Sequence, residues 1–157
     1  MTRPLDLHEP VAVFPLPGVV FFPSTALPLH IFEPRYREMT AWCLSRGRPM
    51  AVALIAPGHE EQQLGDPPFE PVAGLGEIVH HDRLDDGRYT LVLRGAARVR
   101  LTEIEADTPF RQATVEVLPD VLPSDPGVLR SQVESLEALG VSLSAWWPRG
   151  AQMVARL

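Results

Sequence analysis

Covalent catalysis needs a reactive side chain, and this sequence offers few of them. Cys43 is the single thiol among 157 residues, and all 14 basic residues are arginine. A chain without lysine has no P-loop lysine, no Schiff-base lysine and no Ser–Lys dyad. Cys43 lies on the apolar stripe of a predicted helix, together with Tyr36 and Met39, and free cysteine in such a place is usually a small core residue. We therefore expect no nucleophile at this position.

The histidines and serines show no arrangement typical of a metal site or a hydrolase. His80 and His81 are neighbours on a predicted strand, so their side chains should point to opposite faces and cannot grip one metal. The chain contains no HExxH motif and no GxSxG motif. Gly74 and Gly76 lack the third glycine and the following helix of a dinucleotide-binding fingerprint. These absences predict a protein that is not an enzyme and holds no metal and no cofactor.

One group of arginines would suit an anion. If Gly95 joins two antiparallel strands, four guanidinium groups share the outward face of the sheet: Arg88, Arg94, Arg98 and Arg100. Such a face would bind a phosphate or a carboxylate. A solvated sheet face, with arginine stems covering apolar surface, explains the same pattern. The net charge of −6 and the lack of interleaved aromatic residues argue against nucleic acid as the partner.

An apolar run near the N-terminus is the other candidate for a binding site. It consists of Val19, Val20, Phe21 and Phe22. A strand with one covered face cannot bury all four side chains. The run is therefore either covered on both faces, as part of the core, or partly exposed as a patch that binds apolar partner chains.

The first third of the chain is rich in proline, and it contains the first elements that position these residues. The chain has 17 prolines, and those at its start exclude long helices and predict short edge strands at 11–14, 19–22 and 27–32. The first helix is predicted over Pro34–Arg46, because proline suits the first helical position. Gly47 is then expected to end it.

The middle of the chain predicts a sheet. A wholly apolar run at 50–56 indicates a buried strand, and residues 57–71 indicate an exposed polar loop. Period-two alternation from 76 to 117 predicts an antiparallel meander. Its turns are expected at Asp85-Asp86-Gly87 and at Gly95.

In the last part of the chain, the spacing of apolar residues changes from that of a strand to that of a helix. After Pro119 a helical stripe is predicted, formed by Leu129, Val133, Leu136 and Leu139, and residues 141–157 are predicted to be helical as well. We expect two parts, a β domain over residues 1–120 and a helical segment over 121–157. No apolar run is long enough for a membrane span and no signal peptide is visible, so a cytoplasmic protein is expected.

Two blocks of this sequence resemble the opening of the Lon protease N-terminal domain. They read FPLPGVVFFP at 14–23 and LPLHIFEPRY at 27–36. Shorter matches follow in the same order and spacing, at 76–78, 86–89, 95–98, 109–110 and 113–115. The resemblance runs from about residue 11 to residue 118.

This resemblance implies an α+β, β-rich fold: a PUA-like antiparallel β pseudo-barrel with an inserted helix and a short C-terminal helical segment. The helix would follow the second or third strand. The implied function is non-catalytic recognition of other proteins or unfolded segments, linked to protein quality control, without the ATPase and Ser–Lys peptidase of full Lon proteases.

Two further expectations accompany the resemblance. Because PUA-like folds include RNA binders, RNA binding through the arginine-rich face is the alternative function. The family usually continues into a larger C-terminal helical bundle, so a shorter helical segment would leave its apolar stripe open to self-association.

Overall fold

Six strands, two α-helices and one short 3-10 helix make up the part of the chain that the structure, a computed structural model, describes: residues 7–146, with side chains up to residue 142. The strands are β1 (Val11–Leu16), β2 (Ala26–Ile31), β3 (Met50–Leu54), β4 (Val72–Arg83), β5 (Tyr89–Ile104) and β6 (Arg111–Val117). The helices are α1 (Pro34–Arg46) and α2 (Pro126–Trp146), and the 3-10 helix spans Glu60–Gln62. Contacts divide the chain into two units, one ending at Pro119 and one beginning at Asp120.

Five of the described strands form a closed ring, and β2 joins this ring through β5. The order of the described strands is β2-β5-β4-β3-β1-β6, and β6 also pairs with β5. The pairing of β1 with β3 is parallel, whereas the other described pairings are antiparallel. The β-rich fold with a helix inserted after the second strand is confirmed. The antiparallel meander predicted from the alternation is formed by β4, β5 and β6, and the parallel pair lies outside it.

Strand β1 corrects a prediction. It was expected at an edge because of Pro15, but it pairs with β3 on one side and with β6 on the other. The register explains how proline fits there. Strand β6 pairs only with residues 11–13 of β1, so Pro15 lies beyond that ladder, where no donor is needed on that side. The true edge strand is β2, which pairs with β5 alone among the described strands.

Strand β5 corrects a second prediction. Gly95 was expected to turn the chain, but it lies inside one continuous strand of 16 residues. Gly76 pairs with Gly95 and Leu75 pairs with Ala97, so Ala96 is an extra residue, a β-bulge. The hairpin turn at residues 85–87 is correct, and Gly87 has the positive φ of 82° that such a turn requires.

Two apolar clusters cover the two faces of the sheet. One contains Phe21, Ile31, α1 residues and the first half of β5, whereas the other contains the alternate residues of β1 and β3 with the second half of β5. Strand β3 is buried from Met50 to Ala53 because it serves both clusters. This placement confirms the buried strand that the apolar run predicted.

Helix α1 has the predicted bounds. Pro34 occupies its first turn, and Gly47 ends it in the left-handed conformation with φ of 59°. Its buried stripe consists of Tyr36, Met39, Thr40 and Cys43. The stripe packs into the first cluster and fixes the helix on the sheet.

Helix α2 belongs to the second unit and contains the predicted helical stripe. The helical stripe at Leu129, Val133 and Leu136 is exposed. Residues 141–146 extend the same helix, whereas the rest of the predicted segment up to 157 lies outside the described residues. Neither described helix combines the length and apolar character needed to cross a membrane.

Candidate functional site

An apolar groove opens on the outer face of the sheet, beside the segment that connects β1 and β2. Its volume is about 270 Å³. One side is the connecting segment itself, and the floor and opposite side come from β3, β4, β5 and Glu70, which precedes β4. The lining residues are Val19, Val20, Phe21, Phe22, Pro23, Val52, Leu54, Glu70, Val72, Ala73, Gly74 and Arg98.

The connecting segment is held against the sheet by hydrogen bonds. It is not the predicted strand, because residues 19–22 have no ladder partners. The Ser24 amide donates to the Gly95 carbonyl at 2.9 Å, and the Gly95 amide donates to the Thr25 carbonyl at 2.8 Å. Ser24 itself has a φ of 63°, a left-handed conformation that non-glycine residues seldom adopt.

Three glycines of β4 and β5 allow the connecting segment to lie close to the sheet. A Cβ atom at Gly74 would overlap the carbonyl oxygen of Phe21, and a Cβ atom at Gly95 would overlap that of Phe22. At Gly76 a Cβ atom would lie 2.6 Å from the Phe21 ring. The three glycines therefore form a bare strip of sheet on which the backbone of residues 21–22 rests.

The four apolar residues named from the sequence all line the groove, but they have different roles. Phe21 is 6% exposed and belongs to the core cluster, so it anchors the segment. Phe22 is 59% exposed and Val20 is 61% exposed. Val19 is half-buried. The run is therefore buried at Phe21 and exposed at Val20 and Phe22.

The opposite side of the groove was missed by sequence reasoning. Glu70 and Val72 line it, yet residues 57–71 were read as a solvated connection. Part of that stretch pairs with the end of β3: the Glu70 amide donates to the Leu54 carbonyl and the Ala56 amide donates to the Pro68 carbonyl, both at 2.8 Å. The signal that was available is Phe69, an aromatic residue among polar neighbours, which is half-buried and bridges to Ile55.

The structure does not bring the four arginines together on one face. Leu93 packs in the first cluster and Val99 in the second, so the bulge at Ala96 turns the two halves of β5 toward different faces. Arg94 therefore lies across the sheet from Arg98 and Arg100.

Carboxylates of the same chain also pair with Arg88, Arg94 and Arg100. Arg88 pairs with Asp86 at 2.6 Å, Arg94 with Glu77 at 3.2 Å and Arg100 with Glu116 at 3.9 Å. Arg98 donates to the Pro119 carbonyl at 3.2 Å. Of the four, only Arg98 lines the groove.

Cys43 lies in the core, as predicted. Its side chain is 1% exposed, and burial raises the pKa of the thiol to about 12, a rise that the nearby Arg48 opposes. A thiol that keeps its proton is a poor nucleophile. Within residues 7–146, no three His, Cys, Asp or Glu side chains are grouped closely enough to hold a metal ion.

A closed ring of strands with an inserted helix and an apolar surface groove defines the class as a β-rich domain. The chain belongs to the Lon substrate-binding domain family, because the family model described as the ATP-dependent protease La (LON) substrate-binding domain matches residues 10–145. The resemblance noted in the sequence is thereby confirmed. The matched domain is the non-catalytic, substrate-binding part of Lon.

Curated relatives and solved structures agree with this assignment. The chain is 28% identical over 138 residues to Lon protease 2 of Syntrophobacter fumaroxidans and 29% identical over 145 residues to Lon protease 2 of Sorangium cellulosum. These two matches cover 87% and 90% of this chain, but only 16% and 17% of the length of the two relatives.

Two solved structures share the fold. The N-terminal domain of the Mycobacterium avium complex Lon protease has a TM-score of 0.66 at 15% identity, covering 95% of this chain and 76% of that one. A Lon N-terminal domain protein from Xanthomonas campestris has a TM-score of 0.60 at 26% identity, covering 83% of this chain and 75% of that one.

Proposed function

We propose that this protein recognises exposed apolar segments of other polypeptides in the groove beside Phe22, as a non-catalytic module of protein quality control in the cytoplasm. The observation that carries this proposal is the position of Phe22 and Val20. Their side chains are mostly exposed, although the segment that bears them is fixed by its hydrogen bonds to Gly95 and by the buried Phe21. A fixed, exposed apolar surface favours contact with an apolar partner.

The groove fits an extended, partly unfolded segment better than a folded surface. Its volume of about 270 Å³ accommodates a few side chains. Burial contributes about 25 cal/mol per Å² of apolar area, and ordering a flexible partner opposes much of that gain. The expected affinity for a single segment is therefore weak, with dissociation constants of about 10 μM or more.

The test is titration with a reduced, alkylated and fluorescently labelled protein that cannot refold. Replacing both Val20→Ser and Phe22→Ser is expected to weaken binding about tenfold or more, because apolar contact area is lost. Both side chains are exposed, so the variant should remain folded. Phe32→Ser is the matched control: Phe32 is 57% exposed but does not line the groove, and its replacement should leave the affinity unchanged.

Phe21→Ser is a poor test of the same site, since it removes a core anchor and would unfold the segment. The proposal is wrong if the double variant binds the unfolded probe as tightly as the unchanged chain. A fall in affinity for the Phe32→Ser control would likewise contradict the groove assignment.

Salt dependence distinguishes the RNA-binding alternative. Binding through arginines to phosphates would weaken steeply as salt rises, whereas apolar binding should persist or strengthen in excluded salts such as sulfate. The ion pairs of Arg88, Arg94 and Arg100 with carboxylates of the same chain favour the apolar mode.

A further inference from the structure

One of the residues that line the groove, Glu70, belongs to a proline-rich segment. The segment at residues 67–71, here called the proline segment, contains Pro67, Pro68 and Pro71 and ends where β4 begins. We propose that Arg111, which does not line the groove, is a positioning residue that fixes the proline segment and so sets the width of the groove. This inference rests on the proposed function for its binding readout.

The proline segment has few hydrogen bonds of its own. Its three prolines have no N–H group, so the segment cannot complete a strand ladder. The Glu70 amide donates to the Leu54 carbonyl, and the Pro68 and Pro71 carbonyls accept from Ala56 and Leu101. The remaining carbonyl with a described partner is that of Pro67, and its donor is the Arg111 side chain at 2.5 Å.

The Arg111 guanidinium uses all three of its nitrogen atoms. Nε and one terminal nitrogen donate to the two carboxylate oxygens of Glu103, at 2.5 and 2.6 Å. The other terminal nitrogen reaches Pro67, and the guanidinium lies over the Phe69 ring with 4.3 Å to the ring centroid. A planar, forked cation can make these contacts together, whereas an ammonium group cannot.

Arg35 offers a contrast within the same loop. Its guanidinium donates to the carbonyls of Gln63 and Gly65 and pairs with Glu33. These contacts fix the earlier part of the loop, residues 63–66, which does not line the groove. The two arginines therefore hold neighbouring pieces of one loop, and only the piece held by Arg111 borders the groove.

The first experiment compares Arg111→Lys with Arg35→Lys in the full chain, using the unfolded fluorescent probe. Arg111→Lys should weaken binding about fivefold, the size expected when a mutation acts through a packed neighbour. Arg35→Lys should leave the affinity unchanged while increasing proteolytic cleavage near residues 60–66. Equal affinities for Arg111→Lys and the unchanged chain would overturn the proposal, as would an equal loss for Arg35→Lys.

A second readout does not depend on binding. Amide hydrogen exchange at Ala56 and Glu70 reports the two bonds that join the proline segment to the end of β3. In Arg111→Lys these amides should exchange about tenfold faster, while amides in the β2–β5 ladder keep their rates. Uniform acceleration everywhere would indicate general destabilisation and would contradict a positioning role.

Glu103→Gln tests whether Arg111 acts through its ion pair with Glu103. The neutral amide keeps one acceptor oxygen, so this variant should show a smaller loss of affinity than Arg111→Lys. Combining the two substitutions should cost no more than Arg111→Lys alone, because both act on one contact. Strictly additive losses would contradict this path. If the unchanged chain itself fails to bind the probe, the proposed function fails, whereas the exchange result still decides the role of Arg111.

Discussion

At the scale of single residues, Cys43 shows how burial decides whether a reactive atom can react. The thiol is enclosed by the first core cluster, and burial raises its pKa from 9.0 to about 12. In the unfolded chain the same thiol ionises near its ordinary pKa. The two states therefore bind protons differently in alkaline solution, and stability must depend on pH there.

This difference gives a prediction with a definite sign. Above about pH 9 the unfolded chain loses the Cys43 proton and the folded chain keeps it, so the free energy of unfolding should fall as pH rises. The thiol alone contributes a slope of about 1.4 kcal/mol per pH unit up to the folded pKa. Urea unfolding from pH 8 to pH 10 measures it.

Cys43→Ala is the matched control for that slope. The buried Tyr36, whose pKa is also raised by burial, is present in both proteins. The difference between their slopes therefore isolates the thiol. Parallel pH profiles for the two proteins would show that Cys43 is not the group responsible.

The residues also show what could be predicted locally. Cys43 was placed in the core from its spacing with Tyr36 and Met39, because a helical stripe is a property of neighbouring residues. Phe21 and Phe22 could not be told apart in the same way. Gly74, Gly76 and Gly95 decide which of them is buried, and these residues lie more than 50 positions further along the chain.

At the scale of elements, β5 shows how a regular pattern can conceal an irregular structure. Apolar residues alternate through Leu91, Leu93, Val99 and Leu101 without a break. The strand faces one core cluster before Ala96 and the other after it. A bulge lets residues of the same parity serve opposite faces, so the alternation alone could not reveal it. The predicted turn at Gly95 failed for this reason.

The bare glycine strip beneath residues 21–22 gives a prediction at this scale. Gly95→Ala and Gly74→Ala should each destabilise the chain by about 2–3 kcal/mol, because the added methyl group overlaps backbone that cannot move freely. Gly65→Ala is the control, since its Cβ would meet only the Gln62 carbonyl oxygen at 3.4 Å. Its effect should stay within about 0.5 kcal/mol. Chemical denaturation of the three variants, measured side by side, provides the comparison.

Loss of stability at Gly65 equal to that at Gly95 would contradict the close approach. A normal stability for Gly95→Ala would contradict it as well. Since Phe22 projects from the same segment, the two destabilised variants should also lose affinity for the unfolded probe, even at temperatures where they remain folded.

At the scale of the whole molecule, the described core lies entirely in the first unit. Both apolar clusters draw their members from residues 7–115. The apolar stripe of α2 belongs to the second unit and is exposed. Self-association through this helix stays a prediction from the sequence. What the second unit adds to stability can be measured by its removal.

A chain ending at Pro119 should therefore unfold cooperatively, with a free energy of unfolding within about 1 kcal/mol of the longer chain, because a unit with its own core folds alone. Urea unfolding and near-ultraviolet circular dichroism measure this result. Sedimentation at several concentrations tests the helix at the same time: if α2 mediates self-association, the shortened chain stays monomeric where the longer chain does not. Loss of the cooperative transition would show that residues beyond Pro119 complete the core.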